Sequence, residues 1–178
     1  NEANSTQNSA DDYPADPGWS WPALYTGNMT PGDGYTGMGA GLVTFTDNAV
    51  NNGNITIGMH VATFDPSYTS TTGGTPLNLV GNPYPSGLRA AALVTDPSNS
   101  GIHGSLYFWD YDGSGGSNYT EADYSAWNLS GGVPSGPNTP GGGGNTFSGT
   151  IPTGQGFMVR TASANTLTFK NSMRFANN

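Results

Sequence analysis

The chain has 178 residues, no cysteine, and four basic against twelve acidic side chains, for a net charge of −8. That length allows one domain with a real core, the missing cysteines remove disulfides, thiolate metal sites and cysteine nucleophiles, and the charge disfavours a phosphate backbone or an anionic membrane surface as partner. Charged residues are 9% of the chain, against roughly 25% in an ordinary soluble domain, so the surface is neutral, polar and rich in turns.

Residues 1–18 hold almost nothing to bury, and Asp11, Asp12, Asp16, Pro14 and Pro17 punctuate their second half, so they read as a flexible arm or linker. A single domain over 19–178 is expected to begin at Trp19 and Trp21, whose size disfavours a solvated life. GLVTFT (41–46) is a β-rich run. NITIGMHVATF (54–64) is the clearest strand: Ile55, Ile57, Met59 and Val61 alternate with Thr56, Gly58, His60 and Ala62, the period of two that one buried face requires. Between these runs, Asn52-Gly53 suits the positive φ of a tight hairpin turn. Further strands are expected at 77–80, 104–111, 147–151, 156–162 and 165–170, with Ile55, Ile57, Leu79, Phe108, Phe157, Val159, Leu167 and Phe169 in the core. LRAAALV and TEADYSAW are the stretches with helical spacing, each at most two turns. GGVPSGPNTPGGGGN (131–145) is of low complexity and reads as an exposed loop. No apolar run approaches the roughly 18 residues that span a bilayer, and the first residues lack the basic and apolar regions of a signal peptide, so the chain reads as mature or excerpted material.

The pattern is all-β: a β-sandwich, jelly-roll-like, with at most one or two short helices. PGDGYTGMGAGLVTFTDN, from Pro31, resembles PTGQGFMVRTASANTLTFKNS, from Pro152; each has a Gly-x-Gly-aromatic turn, a short strand, a turn and a Thr-Phe strand. One such hairpin in each half implies a pseudo-symmetric sandwich. The first hairpin is followed by the 54–64 strand and the second has no such successor, so an open edge or an incompletely covered face is expected, completed by a neighbouring subunit or by further sequence, with the 1–18 arm as the candidate connector.

The sharpest chemical signal is DYDGSGGSNYTE (110–121). Asp110, Asp112, Ser114, Asn118 and Glu121 occupy positions 1, 3, 5, 9 and 12, with Gly115 at 6, the spacing of a calcium loop whose ion takes six to eight oxygens. Ser117 at position 8 and a preceding strand, rather than a helix, leave an acidic hairpin loop that binds nothing as the alternative. No Gly-x-Ser-x-Gly elbow and no Gly-Lys phosphate loop occurs, and no catalytic residue is assigned. His60, on a polar strand face, and His103, in a Gly-flanked turn, read as surface residues. Trp19, Trp21, Trp109, Trp127 and the nine tyrosines either fill a sandwich core or line a glycan-binding face. The leading function is a non-catalytic structural or adhesive module; a carbohydrate-binding module comes second and a glycosidase with a hidden carboxylate pair third.

Three segments together carry a family resemblance: LNLVGNPYPSGL (77–88), GSLYFWDY with the later DYSAWNLSGG, and IPTGQGFMVRTASANTLTFKNSMR (151–174). They are similar to a β-sandwich module of large secreted and cell-surface, adhesin-like proteins of the Bacteroidota, often exported by the type IX route. The resemblance covers about residues 30–178 and implies secretion and an association with adhesins and cell-surface proteins, without implying a reaction; the expected partners are further copies of the chain or neighbouring domains of the same protein. In physical terms, Pro83 and Pro85 fix φ and hold Asn82 and Tyr84 extended, a stiff corner after the LNLV strand. Gly154 and Gly156 around Gln155 form a turn that delivers Phe157 and Val159 to one strand face.

Overall fold

A computed structural model describes residues 29–35, 49–59, 77–110, 123–136, 144–161 and 166–175. By contact the chain divides into two compact units, Asn1–Thr30 and Pro31–Asn178, and the elements below belong to the second. They are β1 (Ile55–Gly58), β2 (Leu77–Gly81), β3 (Leu88–Arg89), α1 (Ala90–Thr95), β4 (Ile102–Trp109), β5 (Tyr124–Asn128), β6 (Gly131–Val133), β7 (Thr150–Ile151), β8 (Gly156–Thr161) and β9 (Thr166–Phe169), with single 3-10 turns at Pro97–Asn99 and Asn171–Met173. Every strand pairing is antiparallel: a five-stranded sheet in the order β2-β8-β4-β5-β6, and two-stranded sheets β1-β9 and β3-β7. Among the described residues no helix is long and apolar enough to cross a membrane.

All three sheets feed one hydrophobic cluster. Val80, Leu106, Phe108, Trp127, Phe157 and Val159 enter it from the five-stranded sheet, Ile57, Leu167 and Phe169 from β1-β9, and Leu88 and Ile151 from β3-β7. Leu93 and Ala90 of α1 close it at one end. The expected alternation holds in β8, where Phe157 and Val159 are buried, and in β1, where Ile57 is buried and Ile55 packs against the cluster from a partly exposed position. It fails in β2. Leu77 and Leu79 were the apolar face by pattern, yet Asn78 and Val80 are buried, because Val80 and Asn78 stand opposite the core residues Phe157 and Val159. On the opposite face of the sheet, Leu79, Met158, Tyr107 and Ala126 are half-buried in one transverse register and Val133 ends the row exposed.

Two segments take a conformation other than the one their sequence suggests. TEADYSAW is not helical over its described part: Tyr124–Asn128 is β5, paired in register with Leu106–Trp109, and burial of Ser125 and Trp127 on the core face outweighs the short helical spacing. The low-complexity 131–145 segment is not simply a loop, since Gly131–Val133 forms the outer strand β6. Glycine is required there: a Cβ on Gly132 would lie 2.7 Å from the Phe147 carbonyl oxygen, which crosses the sheet at that point. Of the expected 147–151 strand only Thr150–Ile151 pairs, and the 41–46 run lies outside the described residues.

The two Gly-x-Gly turns of the internal repeat flank β2. Gly34 N donates to Leu79 O (3.1 Å) and Gly81 N to Gly32 O (2.9 Å) on one edge, while β8, which starts at Gly156, pairs with the other. After the second hairpin no further strand, among the described residues, lies beside β9 on the side away from β1. β9 has β1 on one side, with Thr56 opposite Thr168, and the buried Asn99 carboxamide on the other: Thr168 N donates to Asn99 Oδ1 (2.8 Å), and Asn99 Nδ2 donates to Thr168 O and Leu93 O (3.0 Å each). A side chain thus occupies the outer edge of β9 at Thr168. Asn99 is held by the turn that ends α1, where Asp96 is extended before Pro97 and accepts from Ser98 N (2.9 Å) and Lys170 Nζ (2.7 Å).

Candidate functional site

The end of β4 carries a shallow groove of about 330 Å³. Phe108 turns inward and stacks on Phe147 (centroids 3.8 Å apart, 19° between planes). Trp109 turns to the other face, is 46% exposed, and meets its cross-strand partner Tyr124 edge-on (5.1 Å, 77°). Burial, reinforced by the Asp123 carboxylate, holds the Tyr124 phenol above its usual pKa. At the rim, Asp110 fixes the Gly-rich segment: Ser135 Oγ donates to Asp110 Oδ2 (2.7 Å), Asn145 N to the same oxygen (3.1 Å) and Asn145 Nδ2 to Oδ1 (3.1 Å). Gly144 N donates to Ser135 Oγ (2.8 Å), so one carboxylate ties Ser135 to Gly144 and Asn145. Aromatic faces, amides and a carboxylate in one open groove are the groups that contact sugar rings.

A second constellation gathers the motif residues. Asn82 is buried; its Nδ2 donates to Ser86 O (2.9 Å), Ile151 O (3.2 Å) and Pro152 O (3.0 Å), and its Oδ1 accepts from Tyr84 N (3.0 Å). Tyr84, also buried, donates its hydroxyl to Gly53 O (2.6 Å). The Arg174 guanidinium lies over the Tyr84 ring (5.1 Å), and its Nε donates to Ser86 Oγ (2.7 Å). Asn171 Nδ2 donates to Asn52 Oδ1 (2.8 Å), and Arg174 Nη1 reaches the Oδ1 atoms of both Asn52 and Asn171 (3.3 Å each). The NPYPS corner, the NSMR segment and the Asn52-Gly53 turn are therefore one polar staple over a stiff proline corner. Gly53 has φ +83°, the conformation expected of that turn. Burial raises the Tyr84 pKa, and the nearby Arg174 charge opposes the shift without cancelling it.

A family model described as a domain of unknown function (DUF8693) matches residues 19–178. The chain belongs to that family. No curated protein and no solved structure matches the chain.

In this DUF8693 domain the expected calcium loop is only partly in view. Asp110 is placed at the end of β4, where protein donors occupy both carboxylate oxygens; Asp112, Ser114, Asn118 and Glu121 lie outside the described residues. Among the described residues no group of three or more His, Asp or Glu side chains is placed to hold a metal ion. His103 sits exposed within β4 rather than in a turn, and His60 lies outside the described residues, as do Trp19 and Trp21. Trp127 is a core residue. Ser135 and Asn145, the residues bonded to Asp110, had no signal in the sequence, because a Gly/Pro/Asn-rich run looks the same whether or not an acid fixes it.

Proposed function

We propose that this DUF8693 domain is a non-catalytic β-sandwich module of jelly-roll type, serving as a structural or adhesive unit of a secreted or cell-surface bacterial assembly. The observation that carries the reading is the staple: Asn82, Tyr84, Ser86, Asn171 and Arg174, which bear most of the family-like motif, direct their polar atoms at one another and at backbone. Residues used in this way build a scaffold. The sandwich is supported by a single core shared between the five-stranded sheet and the two short sheets. Secretion, and export by the type IX route, rest on the resemblance and on the low-charge, Gly-rich composition. Self-association is supported by sheet edges without a strand neighbour among the described residues, β6 among them, an outer strand in which Gly131 and Val133 are exposed. Light scattering and electron microscopy of the purified chain test this; strictly monomeric protein at every concentration refutes self-association, and turnover across a glycoside and ester panel refutes the non-catalytic assignment.

The exposed Trp109 beside the aromatic and amide groove favours a second reading, a carbohydrate-binding module. Polysaccharide retention that is lost in Trp109→Ala identifies it. The 110–121 loop is proposed to bind calcium within either reading; calorimetry at millimolar calcium that shows no heat removes that element, and binding abolished by Asp112→Ala supports it.

A further inference from the structure

The four basic residues of this acidic chain are unevenly partnered. Lys170 is ion-paired with Asp96 at 2.7 Å. Among the described residues the three arginines have no carboxylate partner, and each lies over an aromatic ring instead: Arg89 over Phe175 (5.4 Å), Arg160 over Tyr107 (5.4 Å) and Arg174 over Tyr84 (5.1 Å). Two of them, Arg89 and Arg174, line one open cleft of about 440 Å³ with Asn171, Ser172 and Phe175. No acidic side chain is among these lining residues.

Stacking leaves the in-plane N–H groups of a guanidinium directed outward. Among the described residues Arg89 uses Nη2 on Ser172 O (3.0 Å) and has no acceptor at Nε or Nη1, and Arg174 uses Nε and Nη1 within the staple and has none at Nη2. Unused guanidinium N–H groups of this kind suit a carboxylate, which takes charge-assisted hydrogen bonds from them. The cleft also presents the exposed Ser172 hydroxyl and the second N–H of Asn171 Nδ2, whose first serves Asn52 while Oδ1 accepts from Gly53 N and Arg174 Nη1, and the half-buried Phe175 ring, which meets an apolar C–H face. Its volume lies within the roughly 300–1,000 Å³ of ligand sites. The net charge of −8 repels a densely charged polyanion, so the ligand suited to this cleft carries one carboxylate among neutral hydroxyls.

We propose that the Arg89–Arg174 cleft binds a uronic acid residue of an acidic glycan, its carboxylate on the arginine edges and its hydroxyls on Asn171 and Ser172. The site is separate from the Trp109 groove and does not depend on it. The test is a titration of the chain with methyl glucuronoside and with methyl glucoside, which differ only in carboxylate against hydroxymethyl, read from the arginine Nε–H and backbone amide resonances. The expected result is a saturable shift at Arg89, Asn171 and Phe175 with the glucuronoside alone. Arg89→Gln is expected to weaken it about tenfold and Arg89→Lys to recover part of the loss, with thermal midpoints close to the parent so that misfolding does not explain the change. An equal response to both sugars, or no saturation at tens of millimolar, overturns the proposal. Tighter binding of a capped di-aspartate peptide than of the glucuronoside overturns the sugar assignment and gives the cleft to an acidic protein segment.

Discussion

Replacing Asn82 by alanine removes the centre of the staple. The Nδ2 group serves three carbonyls, those of Ser86 and Ile151 buried and that of Pro152 partly so, and Oδ1 serves the buried Tyr84 N–H. A buried polar group left without a partner costs about 1–3 kcal/mol. Two carbonyls and one N–H in that state, each near the lower end of that range because the site relaxes and water reaches the third carbonyl, bring Asn82→Ala to about 3–5 kcal/mol of lost stability. That is a large part of the roughly 5–15 kcal/mol available to a domain. At about 2–4 °C per kcal/mol for a chain of this size, the melting point falls by about 6–20 °C. Urea unfolding followed by tryptophan fluorescence, with calorimetry alongside, measures it. Asn82→Asp is expected to fall at least as far, because it keeps the acceptor for Tyr84 N–H but turns a carboxylate toward three carbonyl oxygens. A loss below about 1 kcal/mol for Asn82→Ala, with an unchanged denaturant slope, refutes the reasoning.

Two glycines should separate steric from conformational cost. Gly132→Ala meets the Phe147 carbonyl at 2.7 Å and is expected to lose about 1–3 kcal/mol by overpacking, whereas Gly53→Ala meets nothing within 4 Å and should lose only the roughly 1–2 kcal/mol of a left-handed backbone; equal and negligible losses in urea contradict both. Burial raises the Tyr84 pKa, so its neutral form is favoured by folding: that contribution is full below about pH 10 and is lost as pH rises through the folded value. Tyr84→Phe should therefore flatten the alkaline fall of the urea midpoint between neutral pH and about pH 11, and a parallel profile refutes the assignment. The Asp96 carboxyl is shifted the other way, lowered first by its hydrogen bond from Lys170; its contribution is present above the usual aspartate range and is lost on acidification through the folded value, and Lys170→Met should shrink that acid-side loss. Asp110→Ala releases Ser135 and Asn145 and should speed limited proteolysis within 134–146 while moving the global midpoint little; unchanged cleavage shows that the carboxylate does not anchor the segment.

Much of the architecture was legible because burial on one face writes itself into alternation, as at Ile57 in β1 and at Phe157 and Val159 in β8. The same logic misread LNLV, where the more hydrophobic pair, Leu77 and Leu79, faces away from the core and a buried asparagine sits on it. A pattern ranks residues by transfer free energy, but the face is chosen by the strand alongside, here β8. β5 was misread for a related reason: five residues carry too little periodicity to distinguish helix from strand, and pairing with β4 decides. The stiffness of the NPYPS corner could be read from its prolines, whereas its partners could not, because Arg174 and Asn52 are brought there only by the closed fold. Neither the Arg89–Arg174 cleft nor the Asp110 anchor leaves any local trace, since both join residues distant in sequence.

The pairing of β1 with β9 also sets the order in which the chain can fold. Thr56 and Thr168 face each other across 112 positions, and the Asn52-Gly53 turn is tied to Asn171 over a similar span. On a ribosome, Ile55 and Ile57 emerge long before Leu167 and Phe169 exist, so this sheet cannot close until synthesis has passed Phe169. Such long-range closure is slow, since the loop entropy is lost before any contact compensates for it. This sheet therefore stays open until Phe169 has been made, and truncation before residue 166 removes the partner of β1 together with β9.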